Sequence, residues 1–221
     1  MQPFLTHRGR AAVLDWTDVN TDLIIPARYL KRIERTGYGP LLFADKRYQP
    51  GQAPPPDDPD RAGALNAEFP LNKPECQGCD VLIVGRNFGC GSSREHAVWA
   101  VAQAGWKVVI APGKGEGFAD IFEGNALNNG LLAIELDDAD WTQVLEAAQK
   151  SPGAEVAVDL KEQTVSVIQD GATVGPFRFD ISETIKHRLL NGLDFISETL
   201  VHEPAIAAYE RSAPAWSMLR A

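Results

Sequence analysis

From Val81 onward the apolar positions fall into short blocks that follow two rhythms. Val81 to Val84 (V-L-I-V), Lys107 to Ala111 and Leu131 to Leu136 are nearly continuous apolar runs of strand length, as expected of strands buried on both faces. Between them the spacing becomes helical. A helix is predicted from about Ser93 to Ala104, stopped by Gly105, and another from about Phe118 to Leu127, closed by N-N-G. Asp138 to Lys150 predicts a further amphipathic helix. Glu155 to Leu160 and Thr164 to Gln169 then alternate with period two and predict an antiparallel pair. Two short helices follow, roughly Ser182 to Leu190 and Leu193 to Val201. Upstream, Ala11 to Asp15 predicts a strand, and Val19 to Arg28 a loop leading into an apolar turn stopped by Pro26. Strand–helix alternation of this kind predicts an α/β fold with a parallel sheet.

The punctuation between blocks sets the domain plan. Pro50 to Asp60 carries five prolines in P-G-Q-A-P-P-P-D-D-P-D, which removes backbone donors and fixes φ, so an exposed proline-rich loop is expected there. The expectation for residues 1–221 is one domain, elaborated by that loop and by a C-terminal helical extension over about 181–221.

Composition narrows the possible partners. With 21 basic against 30 acidic residues and a formal charge of -9, neither nucleic acid nor an anionic membrane is an expected partner. Met1 to Arg10 has no long apolar stretch, and no run approaches the ~20 residues that span a bilayer. A soluble, cytoplasmic protein is expected. Three cysteines do not make a secreted disulfide framework, which fits a reducing compartment.

The densest chemistry lies at Asn87 to Ala100, N-F-G-C-G-S-S-R-E-H-A-V-W-A, between a predicted strand and a predicted helix. Unpaired N–H groups and the helix dipole make such a junction an anion site. Ser92-x-x-Glu95 fits a capping box, the simplest structural reading. That box leaves Gly89, Gly91 and Arg94 unexplained. Glycines let backbone approach a ligand closely, and an arginine fork suits carboxylates, so small carboxylic acids are plausible ligands. A serine could serve as a base if N–H groups, an arginine and a helix end stabilised its alkoxide.

Two other motifs point elsewhere. Cys76-x-x-Cys79 with Cys90 supplies three thiols, the number an open-site iron–sulfur cluster needs, but a lone C-x-x-C is a weak signal and no fourth ligand clusters with it. No metal site is assigned to this chain. Val108 to Phe118, V-V-I-A-P-G-K-G-E-G-F, places Gly113 and Gly115 after a strand, with Glu135 about a crossover later, in partial likeness to a dinucleotide fingerprint. Phe118 stands where glycine or alanine is required, and Pro112 stiffens the turn. A P-loop fails for want of Gly-Lys-Ser/Thr. His7, His96, His187 and His202 show no metal spacing; His96, in the first turn of its helix, is expected to support the serine loop.

G-C-G-S-S-R-E-H-A resembles the small subunits of 3-isopropylmalate dehydratase in the aconitase superfamily. N-T-D-L-I-I-P-A-R, G-F-A-D-I-F-E-G-N-A-L-N-N-G-L-L and L-L-N-G-L-D-F-I-S-E-T-L, the last at Leu189 to Leu200, carry the same resemblance, in order over about Val13 to Tyr209. It implies a swivelling β/β/α domain that closes over a [4Fe-4S] cluster held by a separate large subunit, with none bound by this chain. The implied reaction is a reversible dehydration that interconverts 2- and 3-isopropylmalate in leucine biosynthesis. The open iron would act as the Lewis acid.

Matched by motif, Ser92 is the proton-abstracting base, and Ser93 and Arg94 bind the carboxylates of a small dicarboxylate substrate. Asp22 orients the binding groups, with Thr21 beside it. Gly89, Gly91, Glu95 and His96 form the supporting loop. Tyr29 to Gly39 corresponds to the loop that selects the substrate side chain, with Leu30, Ile33, Thr36 and Gly37 as its candidate residues. Two departures stand out: Asn20 replaces the usual aspartate, and Gly113 to Gly117 insert between A-P and F-A-D-I-F. The insertion could mark a dehydratase for a related hydroxy-diacid, of the homoaconitase or citraconate/methylmalate type. A non-catalytic module, nucleotide-binding or purely for assembly, is the contrasting reading, and the presence of Ser92 and Arg94 argues against it.

Overall fold

Strand β1 (Thr6–Leu14) is the seam between two kinds of sheet. In the computed structural model, which describes residues 1–169 and 171–212, its second half runs parallel to β2 (Val81–Val84), with Ala11 opposite Val81 and Leu14 opposite Val84. Beyond β2 lie β3 (Val108–Pro112) and β4 (Leu132–Leu136), both parallel. The first half of β1 pairs antiparallel with β5 (Glu155–Asp159), which continues to β6 (Thr164–Gln169) and β7 (Ala172–Arg178). The result is one seven-stranded sheet in the order β4-β3-β2-β1-β5-β6-β7.

Burial explains why the two halves read differently in sequence. Every residue of β2 and β3 is buried, because adjacent side chains serve two separate cores. Leu82, Val84, Val109 and Ala111 face one, and Val81, Ile83, Val108 and Ile110 face the other. The first core is covered by α3 (Glu95–Gln103), by α4 (Asp120–Asn128), and by an irregular segment carrying α1 (Thr21–Ile24) and α2 (Ala44–Arg47). The second is covered by α5 (Asp138–Lys150), whose Val144, Leu145, Ala147 and Ala148 also pack over the antiparallel strands.

Three elements depart from expectation. β1 begins at Thr6 rather than Ala11, since its half-exposed N-terminal half draws stability from pairing with β5. β7 was not predicted; it is a largely exposed edge strand, and a Gly-Pro pair in it is tolerated only at an edge. Among the described residues the chain end forms three helices where two were expected: α6 (Glu183–Asn191), α7 (Phe195–Leu200) and α8 (Glu203–Ser212). Pro204 stands at the start of α8, where proline is compatible with a helix.

The three helices are unequally attached. Leu189 of α6 is buried, and Phe4 N–H donates to its carbonyl at 2.8 Å. Neither α7 nor α8 buries a residue, and Phe195, Ile196, Leu200, Val201 and Tyr209 are exposed. The last part of the expected extension, residues 213–221, lies outside the described residues. Among the described residues no helix is long and apolar enough to cross a membrane.

Candidate active site

Beyond the C-terminal ends of β1 and β2 two loops are fastened side by side. Gly89 N–H donates to the Val19 carbonyl at 2.8 Å, and Thr21 N–H to the Cys90 carbonyl at 2.8 Å. The Thr21 hydroxyl adds a bond to the Ser92 carbonyl at 2.9 Å. Thr21 is only 2% exposed, so its hydroxyl serves as an internal clasp. Asn20 caps α1, its Oδ1 accepting from Leu23 N–H at 2.8 Å; amide and carboxylate can both do this, which accounts for asparagine there. Asp22 points out and pairs with Arg94.

Both glycines of the serine loop are required, for different reasons. Gly89 has φ +81, and a Cβ there would lie 2.3 Å from the Phe122 ring. Gly91 has φ +92, and a Cβ there would make only ordinary contact with Asn20 and Thr21, at 3.5 and 3.6 Å, so its backbone alone calls for glycine. Asp18 and Asn87 flank the loop, also at positive φ, joined by Asn87 Nδ2 to Asp18 Oδ1 at 2.7 Å.

The expected capping box does not form. Helix α3 starts at Glu95, its N-cap Arg94 is extended, and no side chain caps the first turn. Glu95 instead accepts from Asn129 Nδ2 at 2.9 Å. The cause is the clasp just described: with residues 89–92 held against 19–21, the serines cannot turn back over the helix. Both hydroxyl-bearing residues remain exposed.

These residues line a cavity of about 210 Å³. Thr21, Gly89, Gly91, Ser92, Ser93 and Arg94 form one wall, and Ala119 to Phe122, at the start of α4, the other. The Arg94 side chain is only 16% exposed and its partner Asp22 55%, so the guanidinium is held from one side with donors to spare. Asp120 and Ile121 belong to this site although the sequence reading passed over them. Ile121 is 54% exposed while Phe122, Ala126 and Leu127 carry the buried stripe of α4. An isoleucine off the buried stripe was the signal available.

A larger cavity of about 390 Å³ lies elsewhere, among Leu42, Phe69, Trp106, Cys76 and Cys79. Two of its polar groups are already engaged: Asn72 donates to the Arg47 and Asn66 carbonyls, and Asp80 accepts from Arg10 N–H. The smaller cavity, with exposed hydroxyls and a restrained cation, is the better equipped for chemistry.

The sequence profile of the Aconitase C-terminal domain matches residues 1–139, a stretch that holds the whole of this site. The chain is 45% identical over 216 residues to the 3-isopropylmalate dehydratase small subunit of Shewanella denitrificans, covering 98% of this chain and 99% of that one. To the small subunit of Rubrobacter xylanophilus it is 46% identical, covering 97% and 96%. The chain belongs to the 3-isopropylmalate dehydratase small-subunit family. Its fold is similar to the crystal structure of 3-isopropylmalate dehydratase from Methanocaldococcus jannaschii, with a TM-score of 0.57 at 27% identity, covering 93% of this chain and 99% of that one.

Within this family frame, the remaining candidates sort by what they touch. The 3-isopropylmalate dehydratase relatives belong to a hydro-lyase, and the thiols of this chain do not fit a cluster site of its own. Cys76 Sγ donates to the Pro70 carbonyl at 3.4 Å and Cys79 Sγ to the Ala11 carbonyl at 3.3 Å. Burial pushes all three thiols above their ordinary pKa, which favours S–H over the thiolate a metal needs. His96 packs its ring against Tyr38 and Trp99, at 5.5 and 4.7 Å, and burial lowers its pKa. It thus couples α3 to the segment 29–39. In that segment Leu30 is half-buried, Ile33 is 94% exposed, Thr36 is exposed, and Gly37 has φ +83; none lines the serine cavity. The proline loop packs over the segment: Tyr29 Oη donates to the Pro54 carbonyl and Arg32 to the Pro56 carbonyl, both at 2.8 Å.

The partial dinucleotide fingerprint is overturned. The Glu135 carboxylate accepts from the N–H groups of Gly115, Gly117 and Phe118 at 2.5, 2.9 and 3.1 Å. The acidic residue that would hold a ribose closes the loop from within, and the amides a phosphate would need are taken.

Proposed function

We propose that the chain is the small subunit of a two-subunit 3-isopropylmalate dehydratase that interconverts 2- and 3-isopropylmalate through isopropylmaleate in leucine biosynthesis. The observation that carries this is the meeting of Ser92, Ser93 and Arg94 on one cavity wall, with Arg94 paired to Asp22. Ser92, exposed and anchored through its carbonyl, takes the carbon-bound proton next to a carboxylate. The restrained guanidinium of Arg94 lies two residues on and favours the alkoxide electrostatically. Arg94 and the Ser93 hydroxyl bind the substrate carboxylates, and Asp22 fixes the fork of Arg94 through one of its five donors. A [4Fe-4S] cluster on a large subunit would supply the Lewis acid that assists loss of the hydroxyl. Return of water to the neighbouring carbon completes the isomerisation.

The opposite wall bears on substrate choice. Ile121 presents apolar surface to the cavity, and the exposed carboxylate of Asp120 stands beside it. A branched alkyl group is favoured there and a third carboxylate repelled, which supports an isopropyl-bearing diacid over a homoaconitase-type tricarboxylate. The test is an assay of the purified chain alone and with an anaerobically reconstituted large subunit, offering 2-isopropylmalate, citraconate and homocitrate-type acids in turn. Activity on 2-isopropylmalate only with the partner is expected. A brown chain that absorbs in the cluster region without a partner would overturn the division of labour.

A further inference from the structure

The glycine-rich insertion Gly113 to Gly117 is built around one carboxylate, and its outer edge carries the serine loop. Glu135, on β4 opposite Ala111, reaches across the end of β3 to gather three N–H groups of residues 115–118. The insertion cannot take this shape with ordinary residues, since Gly113 and Gly115 have φ +82 and +79. The other edge of the same turn acts as a short strand. Asn87 N–H donates to the Glu116 carbonyl and Phe88 N–H to the Gly117 carbonyl, both at 2.9 Å, and Ala119 N–H returns to the Phe88 carbonyl at 3.1 Å. Arg86 clamps the outside, bonding Glu116 at 2.9 Å and Asp138 at 2.5 Å. Phe88 leads directly to Gly89, which the Val19 carbonyl holds from the other side.

We infer that Glu135 is a positioning residue for the serine loop: through the insertion it sets the path of residues 86–89, and hence where Ser92 is presented. The same contacts place Ala119 to Phe122, the opposite cavity wall, so one carboxylate fixes the width of the site. The inference rests on the proposed role of Ser92 only for its catalytic consequence. The structural coupling stands apart from it.

Two measurements on Glu135→Ala and Glu135→Gln test it. The first is amide hydrogen exchange of the full chain. In the alanine variant, peptides covering 113–118 and 86–94 should both exchange about tenfold faster while β5 to β7 stay protected. The glutamine variant, whose single carbonyl oxygen can still serve Gly117 and Phe118, should fall between. Faster exchange confined to 113–118, or spread evenly over the chain, would overturn the coupling. The second is steady-state kinetics of the complex with its large subunit. There kcat should fall about tenfold or more with KM within about threefold, as expected when a reacting group is misplaced, and the glutamine variant should recover most of the rate. A lowered melting temperature with kcat unchanged in assembled complex would overturn the positioning role. If the wild-type complex dehydrates none of the diacids, the functional reading fails, and hydrogen exchange still decides for or against Glu135.

Discussion

A serine hydroxyl is a weak base, so what Ser92 can do is decided by the residues around it. The Thr21 hydroxyl holds its carbonyl, Gly91 gives the backbone its turn, and Arg94 stands two residues on with Asp22 behind it. Ser92→Ala should leave folding and assembly intact and lower kcat by at least about a hundredfold, the range set by loss of a general base; activity of purified complex checks this. Arg94→Lys should act on binding instead, raising KM roughly tenfold because lysine cannot offer the two-donor fork. Glu123 gives a prediction of opposite sign. Burial first, then the like charges of Glu135 and Asp120, push its carboxyl above the ordinary value of 4.5. The charged form is thus disfavoured in the fold relative to the unfolded chain, so it costs nothing below the unfolded value. The cost appears as pH rises from there through the folded value. Glu123→Gln should therefore stabilise the protein at neutral pH, by less than about 1 kcal/mol given its partial exposure, and leave it unchanged below about pH 4; thermal melts across pH measure the difference.

At the scale of elements, the site is a matter of two loops and a helix start held at fixed separations. Gly89 is the tightest point, where the serine loop crosses the Phe122 ring. Gly89→Ala should combine a strained positive φ with displacement of α4, costing about 2–4 kcal/mol and most of the activity of whatever still assembles, as read by chemical denaturation and by assay. The elements most legible in sequence were those whose pattern follows from burial: β2, β3, β4 and α5 lie within a residue or so of their apolar blocks. β7 carries little buried surface and gave no such pattern. The capping box was a valid local reading of Ser92-x-x-Glu95, defeated by hydrogen bonds from residues about 70 positions away. Asp120 and Ile121 were passed over because their motif reads first as the start of an ordinary helix.

At the scale of the molecule, stability and partnership separate along the chain. Among the described residues the two cores end effectively at Leu189, and neither α7 nor α8 has a buried residue. A chain ending at Leu193 should melt within about 3 °C of one ending at Ser212, in line with the small effect of removing surface contacts, whereas one ending at Asp180 should lose considerably more because Leu189 goes with it; calorimetry of the three chains checks this. The sequence by itself determined the strand and helix order from β2 to β6, the two glycines of the serine loop and the grouping of Ser92, Ser93 and Arg94, because burial, backbone freedom and short-range chemistry leave their marks on neighbouring positions. Tertiary structure alone decided that β1 joins a parallel to an antiparallel half, that Thr21 clasps Ser92, that Asp22 pairs with Arg94, and that Glu135 fills the glycine-rich turn. Each of these depends on a hydrogen bond or ion pair between segments far apart in sequence, and no local pattern records which distant group a side chain will meet.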